Sequence, residues 1–399
     1  MTAETASSSR NRAISLLMVG SFATGANIRL VDVVLPQIAE EFTVSIGLVA
    51  QVATAYAFGY GVMQIMLGIA GDRFGKIRLV AVLCFASVIA CLLAAAAQSL
   101  GQLTLARLLC GAATSAIIPI SLAWVGDMLP YEERPVVLAR YASGGIFGMV
   151  SGQIAGGLLT EFWDWRAGMV LVSALYLVAG IGLAMALRRD PLIAARPHQV
   201  PTRLSTPRAL AAMLRRRWSR VVLAAVFIEG VSIFASVTFV GVDLRTRFGA
   251  SYALIGVMLA FFAVGGFIFT LTVRRLVKRY TQPQLVGAGA TSAAVGLACF
   301  ALAPSLALVP PALLLVGFGA YMAHSTLQTF ATQLLPEARA TGFSVFATLY
   351  FLSQSIGVAV GAVLFDVLGM QPVIISASIM SLILAAWFLG YGQRLLAPA

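Results

Sequence analysis

The sequence has few charged residues. Only 11% of its 399 residues are Asp, Glu, Lys or Arg, whereas about 25% of the residues in an average soluble domain are charged. Long stretches carry no charge at all, and 60% of the residues are hydrophobic. This composition excludes an ordinary soluble enzyme and a disordered chain, and it is typical of a protein that crosses a membrane.

Residues that support metal and redox chemistry are also scarce. The chain has two histidines and four cysteines, and the cysteines all lie within apolar runs, at Cys84, Cys91, Cys110 and Cys299. Because they lack the spacing of zinc ligands, we interpret them as small buried hydrophobic residues and expect no metal site and no disulfide framework. A P-loop motif for a nucleotide is missing as well. The sequence predicts neither an enzyme nor a cofactor, and any transport would be driven by an ion gradient.

Twelve apolar runs have about the 20 residues that an α-helix needs to cross a bilayer. We number them spans 1 to 12; they lie near 14–35, 46–69, 79–98, 103–126, 138–159, 168–187, 221–242, 251–273, 284–303, 308–331, 342–365 and 372–391. The first run is too long for the apolar core of a signal peptide, so we expect it to be retained. The predicted fold class is therefore an all-α integral membrane protein with twelve transmembrane helices.

Most of the 27 Lys and Arg residues fall on one side of the predicted membrane. The opposite side has only Arg166, Arg245 and Arg247. By the positive-inside rule, both termini are then cytoplasmic in a multi-pass protein of a bacterial inner membrane. The net charge of +12 reflects this topology, and we expect no nucleic-acid binding.

A polar, arginine-rich connector at 188–220 separates two predicted six-helix bundles, at 1–187 and 221–399. The halves contain an internal repeat, because Leu129-Pro130 precedes span 5 and Leu335-Pro336 precedes span 11. A shared glycine pattern follows 205 residues apart, at Gly152 and Gly156 and at Gly357 and Gly361. Two parallel repeats with a site between them are typical of secondary transporters. The sequence predicts two pseudo-symmetric bundles.

Two motifs resemble those of the major facilitator superfamily. The loop between spans 2 and 3, from Gly68 to Arg78, reads Gly-Ile-Ala-Gly-Asp-Arg-Phe-Gly-Lys-Ile-Arg, which is similar to that superfamily's G-x-x-x-D-R-x-G-R/K-R/K signature. Span 4 has Leu103, Arg107 and Gly111 at four-residue spacing, which resembles its second motif, common in proton-coupled members. The resemblance covers essentially the whole chain.

Two further patterns resemble the twelve-span drug:proton antiporter branch of that superfamily. Span 1 ends on Asp32-x-x-Leu35-Pro36-x-Ile38, and span 5 carries a glycine ladder at Gly144, Gly148, Gly152, Gly156 and Gly157. Small residues at this spacing let a neighbouring helix approach closely, so we expect these glycines to serve helix packing. The ladder departs from the branch at Gln153, where a proline is usual.

The resemblance implies a monomeric transporter that works by alternating access, with a small-molecule substrate, protons and the lipid bilayer as its partners. It favours proton-coupled export of a small organic compound. Proton symport or uniport of a sugar or an organic anion is the first alternative. A membrane receptor or enzyme without transport activity is a remote one.

The family pattern also implies a conformational latch on the cytoplasmic side. Asp72 would engage the N-terminal end of span 11, where the helix dipole and free N–H groups favour an anion. Arg73 and Lys76 are equally well explained as ordinary cytoplasmic charges. The latch residues that we predict are Gly68, Asp72, Arg73, Gly75, Lys76 and Arg134.

Ionisable residues within the spans are functional candidates, because each costs at least ~2.5–3.5 kcal/mol to insert. The proton-coupling candidates are Asp32, Arg107, Glu229 and His324. The candidates for the substrate cavity are Arg29, Arg107, Ser232, Ser236, Tyr321 and Gln328. Arg29 and Asp32 share a helix face and could instead neutralise each other, and His324 could be a hydrogen-bonded packing residue.

The charges in the spans also bear on the substrate. If Arg29 pairs with Asp32, the remaining charges are Arg107 and Glu229, one in each half. A guanidinium suits a carboxylate or a phosphate. We therefore expect a zwitterionic, weakly anionic or neutral amphiphile as substrate more than a lipophilic cation, although the position of Arg107 is usually tied to proton coupling in the family.

Overall fold

The computed structural model describes residues 3–129, 134–190, 206–335 and 339–392. Within these ranges every regular element is a helix, and twelve helices are long and apolar enough to cross a membrane. The predicted fold class is therefore confirmed. The repeat elements at Pro130 and Pro336, and residues 191–205 of the connector, lie outside the described residues.

Most helices of the first half are longer than the predicted spans, and spans 2 and 4 are each divided into two helices. Span 1 is Ala3–Phe42, span 2 is Ile46–Val49 followed by Gln51–Phe74, and span 3 is Lys76–Ala95. Span 4 is Leu100–Thr114 followed by Ile117–Met128, span 5 is Arg134–Phe162, and span 6 is Trp165–Arg189. Span 1 is thus longer at both ends than its apolar run, and span 4 has a break that hydropathy did not predict.

The second half begins with a short helix, Thr206–Arg215, within the predicted connector. Span 7 is Arg217–Val237 followed by Val240–Phe248, span 8 is Tyr252–Arg279, and span 9 is Gln282–Ala301. A 3₁₀ turn at Leu306–Leu308 precedes span 10, Val309–Ala331. Span 11 is Arg339–Leu368, and span 12 is Met370–Trp387, which continues into a π-turn at Phe388–Gly392.

Local sequence signals explain several helix ends. Ser45, Ser99 and Ser251 each begin a helix and accept a hydrogen bond from the backbone N–H three residues later, which satisfies one of the free donors of the first turn. Gly75 separates spans 2 and 3 with a φ of +97°, a backbone conformation that only glycine adopts readily. The tight turn between these spans therefore depends on a glycine.

The chain folds into two compact units. The first consists of Met1–Val31 and Ala55–Pro201, and the second of Asp32–Thr54 and Thr202–Ala399. The loop between spans 1 and 2 thus belongs to the second unit, although it lies in the first half of the sequence. In the core of that unit, Met213 of the short helix packs with aromatic residues of spans 10 and 11.

Span 5 lies directly against span 1 in the first unit. A Cβ placed on Gly152 would come within 2.5 Å of the α-carbon of Ala26, and a Cβ on Gly148 would collide with the carbonyl oxygen of Phe22. A Cβ on Gly144 would lie 3.3 Å from the carbonyl oxygen of Met18, and one on Gly156 would lie 3.0 Å from the side chain of Leu30; Gly157 is buried. Because the two backbones touch at Gly148 and Gly152, any larger residue there would push the helices apart.

The second unit repeats this packing between spans 11 and 7. A Cβ on Gly357 would lie 2.5 Å from the carbonyl oxygen of Val231, and a Cβ on Gly361 would lie 2.6 Å from that of Ala235. Val231 stands 205 residues after Ala26, the same offset that relates the glycines. The repeat in the sequence therefore corresponds to a repeated contact between helices.

The three basic residues that the sequence analysis placed on the side with few charges have structural partners. Arg166 donates to the carbonyl oxygen of Ala97 at 3.0 Å, and Arg247 donates to that of Ala301 at 2.9 Å. Arg245 also donates to a backbone carbonyl. Because carbonyl groups at helix ends lack partners within the helix, Arg166 and Arg247 complete the ends of spans 3 and 9.

Candidate functional site

A carboxylate and an imidazole meet in the interior of the second unit. Glu229 of span 7 is 3% exposed, and its Oε2 lies 3.0 Å from Nδ1 of His324 in span 10. A buried carboxylate needs a hydrogen-bonded or charged partner, because desolvation of the ionised form is costly. His324 provides that partner across 95 residues of sequence.

The hydrogen bonds of the pair fit one neutral tautomer of His324. Nε2 of His324 lies 3.1 Å from Nε2 of Gln328, one helical turn further along span 10. A neutral ring with its proton on Nδ1 would donate to Glu229 and accept at Nε2 from the amide NH₂ of Gln328. The other carboxyl oxygen, Glu229 Oε1, has no hydrogen-bond partner among the described residues. The pair can therefore accept a proton on Oε1 without losing the bond to the imidazole.

Aromatic rings fix the position of the imidazole. The ring centroid of Tyr350 lies 4.0 Å from that of His324, and Phe346 follows at 5.7 Å. Both belong to span 11, and Tyr350 also contacts Phe234 of span 7 edge-on. Three spans thus position the ring of His324, which is a requirement for directed proton transfer.

Three other predicted cavity residues of this unit, Ser232, Ser236 and Tyr321, have partners within the protein. The hydroxyl of Ser236 donates to carbonyl oxygens of its own helix. Ser232 bonds the carbonyl of Glu229 and accepts from Ser381 of span 12. Tyr321 packs against Gly266 of span 8. Contact of these three residues with a substrate stays a prediction.

Arg107 forms the centre of a polar cluster in the first unit. Its side chain is buried, its Nη1 donates to Oδ1 of Asn27 at 2.5 Å, and its Nη2 donates to the backbone oxygen of Asn27 at 3.3 Å. The guanidinium carbon lies 4.3 Å from the ring centroid of Tyr56, a cation–π contact. Within the described ranges no carboxylate pairs with Arg107. Its charge is therefore compensated by an amide, a carbonyl and an aromatic face.

The cluster continues into neighbouring helices. The hydroxyl of Tyr56 lies 2.7 Å from Thr114 Oγ1, and Nδ2 of Asn27 lies 3.5 Å from the sulfur of Cys91. Cys91 in turn contacts Cys110, with 3.8 Å between the sulfur atoms. These bonds connect spans 1, 2, 3 and 4 around Arg107 and hold its guanidinium in place.

Arg29 and Asp32 are both buried in span 1, with exposures of 7% and 3%. Each has interaction partners, and they fall in different units. Mutual neutralisation of the two side chains stays a prediction.

The structure describes part of the predicted latch. Lys76 donates to Asp127, at the end of span 4, with 2.5 Å between Nζ and Oδ2. Arg73 is exposed, and Gly68 has open space where a Cβ would lie. The side chains of Asp72 and Arg134 lie outside what the structure describes.

Sequence reasoning missed an acid at the end of span 11. Asp366 Oδ2 accepts a hydrogen bond from Ser45 Oγ at 2.7 Å, and its Oδ1 accepts one from the backbone N–H of Gly47 at 2.9 Å. A Cβ on Gly47 would collide with this carboxylate and lie 2.7 Å from the carbonyl oxygen of Ala362. We call this contact the Asp366 clasp. A serine before an apolar run is a local signal for a helix start that the sequence analysis did not use, and no local signal identifies its distant acceptor.

Comparison with known proteins gives one family across most of the chain. The model of the Major Facilitator Superfamily matches residues 17–358 and, in a second match, residues 222–396. The solved structures with a similar fold include a bacterial homolog of the human lysosomal transporter Spinster, with a TM-score of 0.80 at 16% identity, covering 98% of this chain and 99% of that one. The nucleoside transporter NupG follows with a TM-score of 0.78 at 15% identity, covering 95% and 99%.

Two curated relatives illustrate the range of sequence similarity. The puromycin resistance protein of Streptomyces alboniger is 33% identical over 162 residues, which is 40% of this chain and 32% of that protein. The MFS-type transporter YybF of Bacillus subtilis is 20% identical over 336 residues, which is 84% of this chain and 81% of that one. The chain thus spans about a third of the first relative and most of the second.

Proposed function

The chain belongs to the Major Facilitator Superfamily, and we propose that it is a proton-coupled secondary transporter that exports a small organic compound by alternating access. The observation that carries this proposal is the buried pair of Glu229 and His324. A carboxylate whose second oxygen lacks a partner among the described residues, in an apolar interior, is suited to bind and release a proton.

The pair couples a proton to transport because an ionised carboxylate is costly to bury. When Glu229 is protonated, the pair is neutral, and the helices can rearrange around it without burying a charge. When the proton leaves, the carboxylate requires compensation from His324 or from a cationic or donor group of the substrate. Proton and substrate then compete for the same acid, which is the thermodynamic requirement for antiport.

Arg107 supports a second element of the proposal, recognition of an anionic or polar group. Among the described residues, the buried guanidinium has only neutral partners. A carboxylate or phosphate that binds it would stabilise it, because such hydrogen bonds are charge-assisted and bidentate. The first unit therefore favours a substrate with an acidic or strongly polar end. Glu229 favours one with a neutral or cationic end. Together they suggest a zwitterionic, weakly anionic or neutral amphiphile.

The direction of transport is proposed from the relative that is named for puromycin resistance. Resistance is consistent with removal of a compound from the cell, and the similarity to that relative extends over 40% of this chain. The sequence resemblance to drug:proton antiporters points in the same direction.

A flux assay in proteoliposomes tests the proposal. A thermal-shift screen of amphiphilic carboxylates, zwitterions and amines first provides a stabilising compound. A pH gradient imposed across the vesicles should then drive its uphill movement opposite to the protons. Glu229→Gln should abolish this movement while exchange without a gradient persists. Thr246→Ala is the matched control on the same span, because its hydroxyl donates to carbonyls of its own helix and it is not a candidate cavity residue.

Two outcomes would overturn the proposal. Uphill transport by Glu229→Gln at the rate of the unmodified protein would show that the proton binds elsewhere. Movement of the compound in the same direction as the protons would show that the protein is a symporter and not an antiporter. Symport of an organic anion is the second candidate function, and the specific observation in its favour is the absence of a carboxylate beside Arg107 among the described residues.

A further inference from the structure

A cavity of about 380 Å³ lies between spans 3 and 6 of the first unit. Its walls are mainly apolar and include Val82, Phe85 and Leu187, while Arg78 and Arg188 line it as well. A volume of this size lies within the range of small-ligand sites in proteins. The cavity is separate from the clusters around Glu229 and Arg107, whose residues do not line it.

The two arginines are at the same end of the helix pair. Arg78 is in the first turn of span 3, which begins at Lys76, and Arg188 is in the last turn of span 6, which ends at Arg189. Both are exposed, and neither forms a hydrogen bond or an ion pair with any described residue. Two cations that line one cavity without a described protein anion leave a site for an external anion.

The surroundings of the cavity are apolar and exposed. Val82 in its wall has 61% of its surface exposed, and so does Ile89 two turns further along span 3. Met185 on span 6 is 47% exposed. In a membrane protein such a surface faces the acyl chains of lipid. The cavity thus combines a cationic end with an apolar wall that faces the hydrocarbon.

The repeat shows that the fold does not require a cation at the position of Arg78. Span 9 is the counterpart of span 3, and the positions 205 and 206 residues after Arg78 are Pro283 and Gln284. A cation at this position is therefore a property of the first half and not of the helix packing.

We propose that this cavity binds an anionic phospholipid, with its phosphate between Arg78 and Arg188 and an acyl chain along Val82 and Phe85. Guanidinium groups bind phosphate through two parallel hydrogen bonds. Basic pockets between transmembrane helices on the cytoplasmic side are suited to anionic head groups. The positive-inside distribution predicts that this end is cytoplasmic, where such lipids are available.

The test measures lipid binding to the purified full-length chain in detergent. Dioleoylphosphatidylglycerol is titrated as the anionic probe, dioleoylphosphatidylcholine as the zwitterionic one and inorganic phosphate as the soluble one. Stability against heat and the number of retained lipids in native mass spectrometry are recorded. The double variant Arg78→Gln/Arg188→Gln removes the site. The control Arg274→Gln/Arg275→Gln removes two exposed charges from the end of span 8, on the same predicted side.

The unmodified protein and the control should bind phosphatidylglycerol in preference to phosphatidylcholine. The double variant should bind it about 30-fold more weakly, because each basic contact with an anionic lipid contributes about fivefold. The thermal midpoint in phosphatidylcholine shows whether the double variant is folded. If it is not folded, the single variant Arg188→Gln is used instead, and its affinity for phosphatidylglycerol should fall about fivefold. Equal binding of both lipids, unchanged affinity in the folded variant, or equal stabilisation by inorganic phosphate would overturn the proposal. None of these results depends on transport activity.

Discussion

The Asp366 clasp predicts a measurable conformational preference. It joins the start of span 2 to the end of span 11 by two hydrogen bonds to one carboxylate, from Ser45 Oγ and from the backbone N–H of Gly47. Asp366→Ala removes both bonds and leaves the serine with only its own helix to bond. We expect the variant to lose the contact between the start of span 2 and the end of span 11 for part of the time.

The magnitude follows from the two bonds. Hydrogen bonds to charged groups contribute about 1.5–3 kcal/mol when they are shielded from water. Because Asp366 is exposed, we take about 1 kcal/mol for each, or about 2 kcal/mol in total. That value corresponds to a shift of about 30-fold in the equilibrium between the closed and open arrangements of the two helix ends.

Spin labels on either side of the clasp measure this equilibrium. Leu48 and Val367 are 50% and 75% exposed, so cysteines there tolerate labels. The prediction that all four cysteines are buried was wrong for Cys299, which is exposed and is therefore replaced by serine. The unmodified background should give one short distance, and Asp366→Ala should add a long one. Asp164→Asn is the control, because Asp164 caps its own helix, span 6. A distance distribution that is identical with and without Asp366 would refute the reasoning.

Three further predictions follow from packing and charge. In Gly148→Leu the new side chain should collide with the carbonyl oxygen of Phe22, which should lower the yield of folded protein. Gly101→Leu should not lower it, because Gly101 has open space where a Cβ would lie. Equal yields of the two variants would contradict the packing. Gly75→Ala should lower the free energy of unfolding by about 1–3 kcal/mol, because a φ of 97° with a ψ of 127° is a strained backbone conformation for a residue with a Cβ, and the thermal midpoint should fall with it. Gly68→Ala should leave the midpoint nearly unchanged. A midpoint unchanged by Gly75→Ala would argue against the strained turn. Arg107→Lys keeps the charge but loses the planar fork, so it should weaken transport of carboxylates at least about tenfold relative to neutral compounds, and an equal loss for both classes would indicate a structural role.

The sequence predicted the fold well because its signals are local. The apolar runs that mark the spans, and the glycine at the turn between spans 2 and 3, each act over a few residues. The repeat extended this to packing, since Gly152 and Gly357 imply equivalent contacts with Ala26 and Val231. The breaks within spans 4 and 7 were missed because the apolar composition continues through them.

The partners within the candidate site were less predictable. Glu229 and His324 were each singled out, but no local pattern shows that residues 95 positions apart share a hydrogen bond. Asp366 was missed for the same reason, because its partners lie 319 and 321 residues away. Ser232 lay on the predicted face, yet its hydroxyl bonds to spans 7 and 12. The sequence indicates which residues are unusual in a membrane span, and the tertiary structure decides which of them meet.

The most direct test of the central claim is infrared difference spectroscopy of the purified protein between acidic and alkaline pH. If Glu229 carries the proton, the spectrum contains the carbonyl band of a protonated carboxyl group in an apolar environment. The account predicts that Glu229→Gln removes this band and that His324→Gln shifts it, because the imidazole bonds the same carboxyl group. Ser236→Ala should leave the band unchanged. A band that persists unchanged in Glu229→Gln would contradict the claim that this acid is the proton carrier.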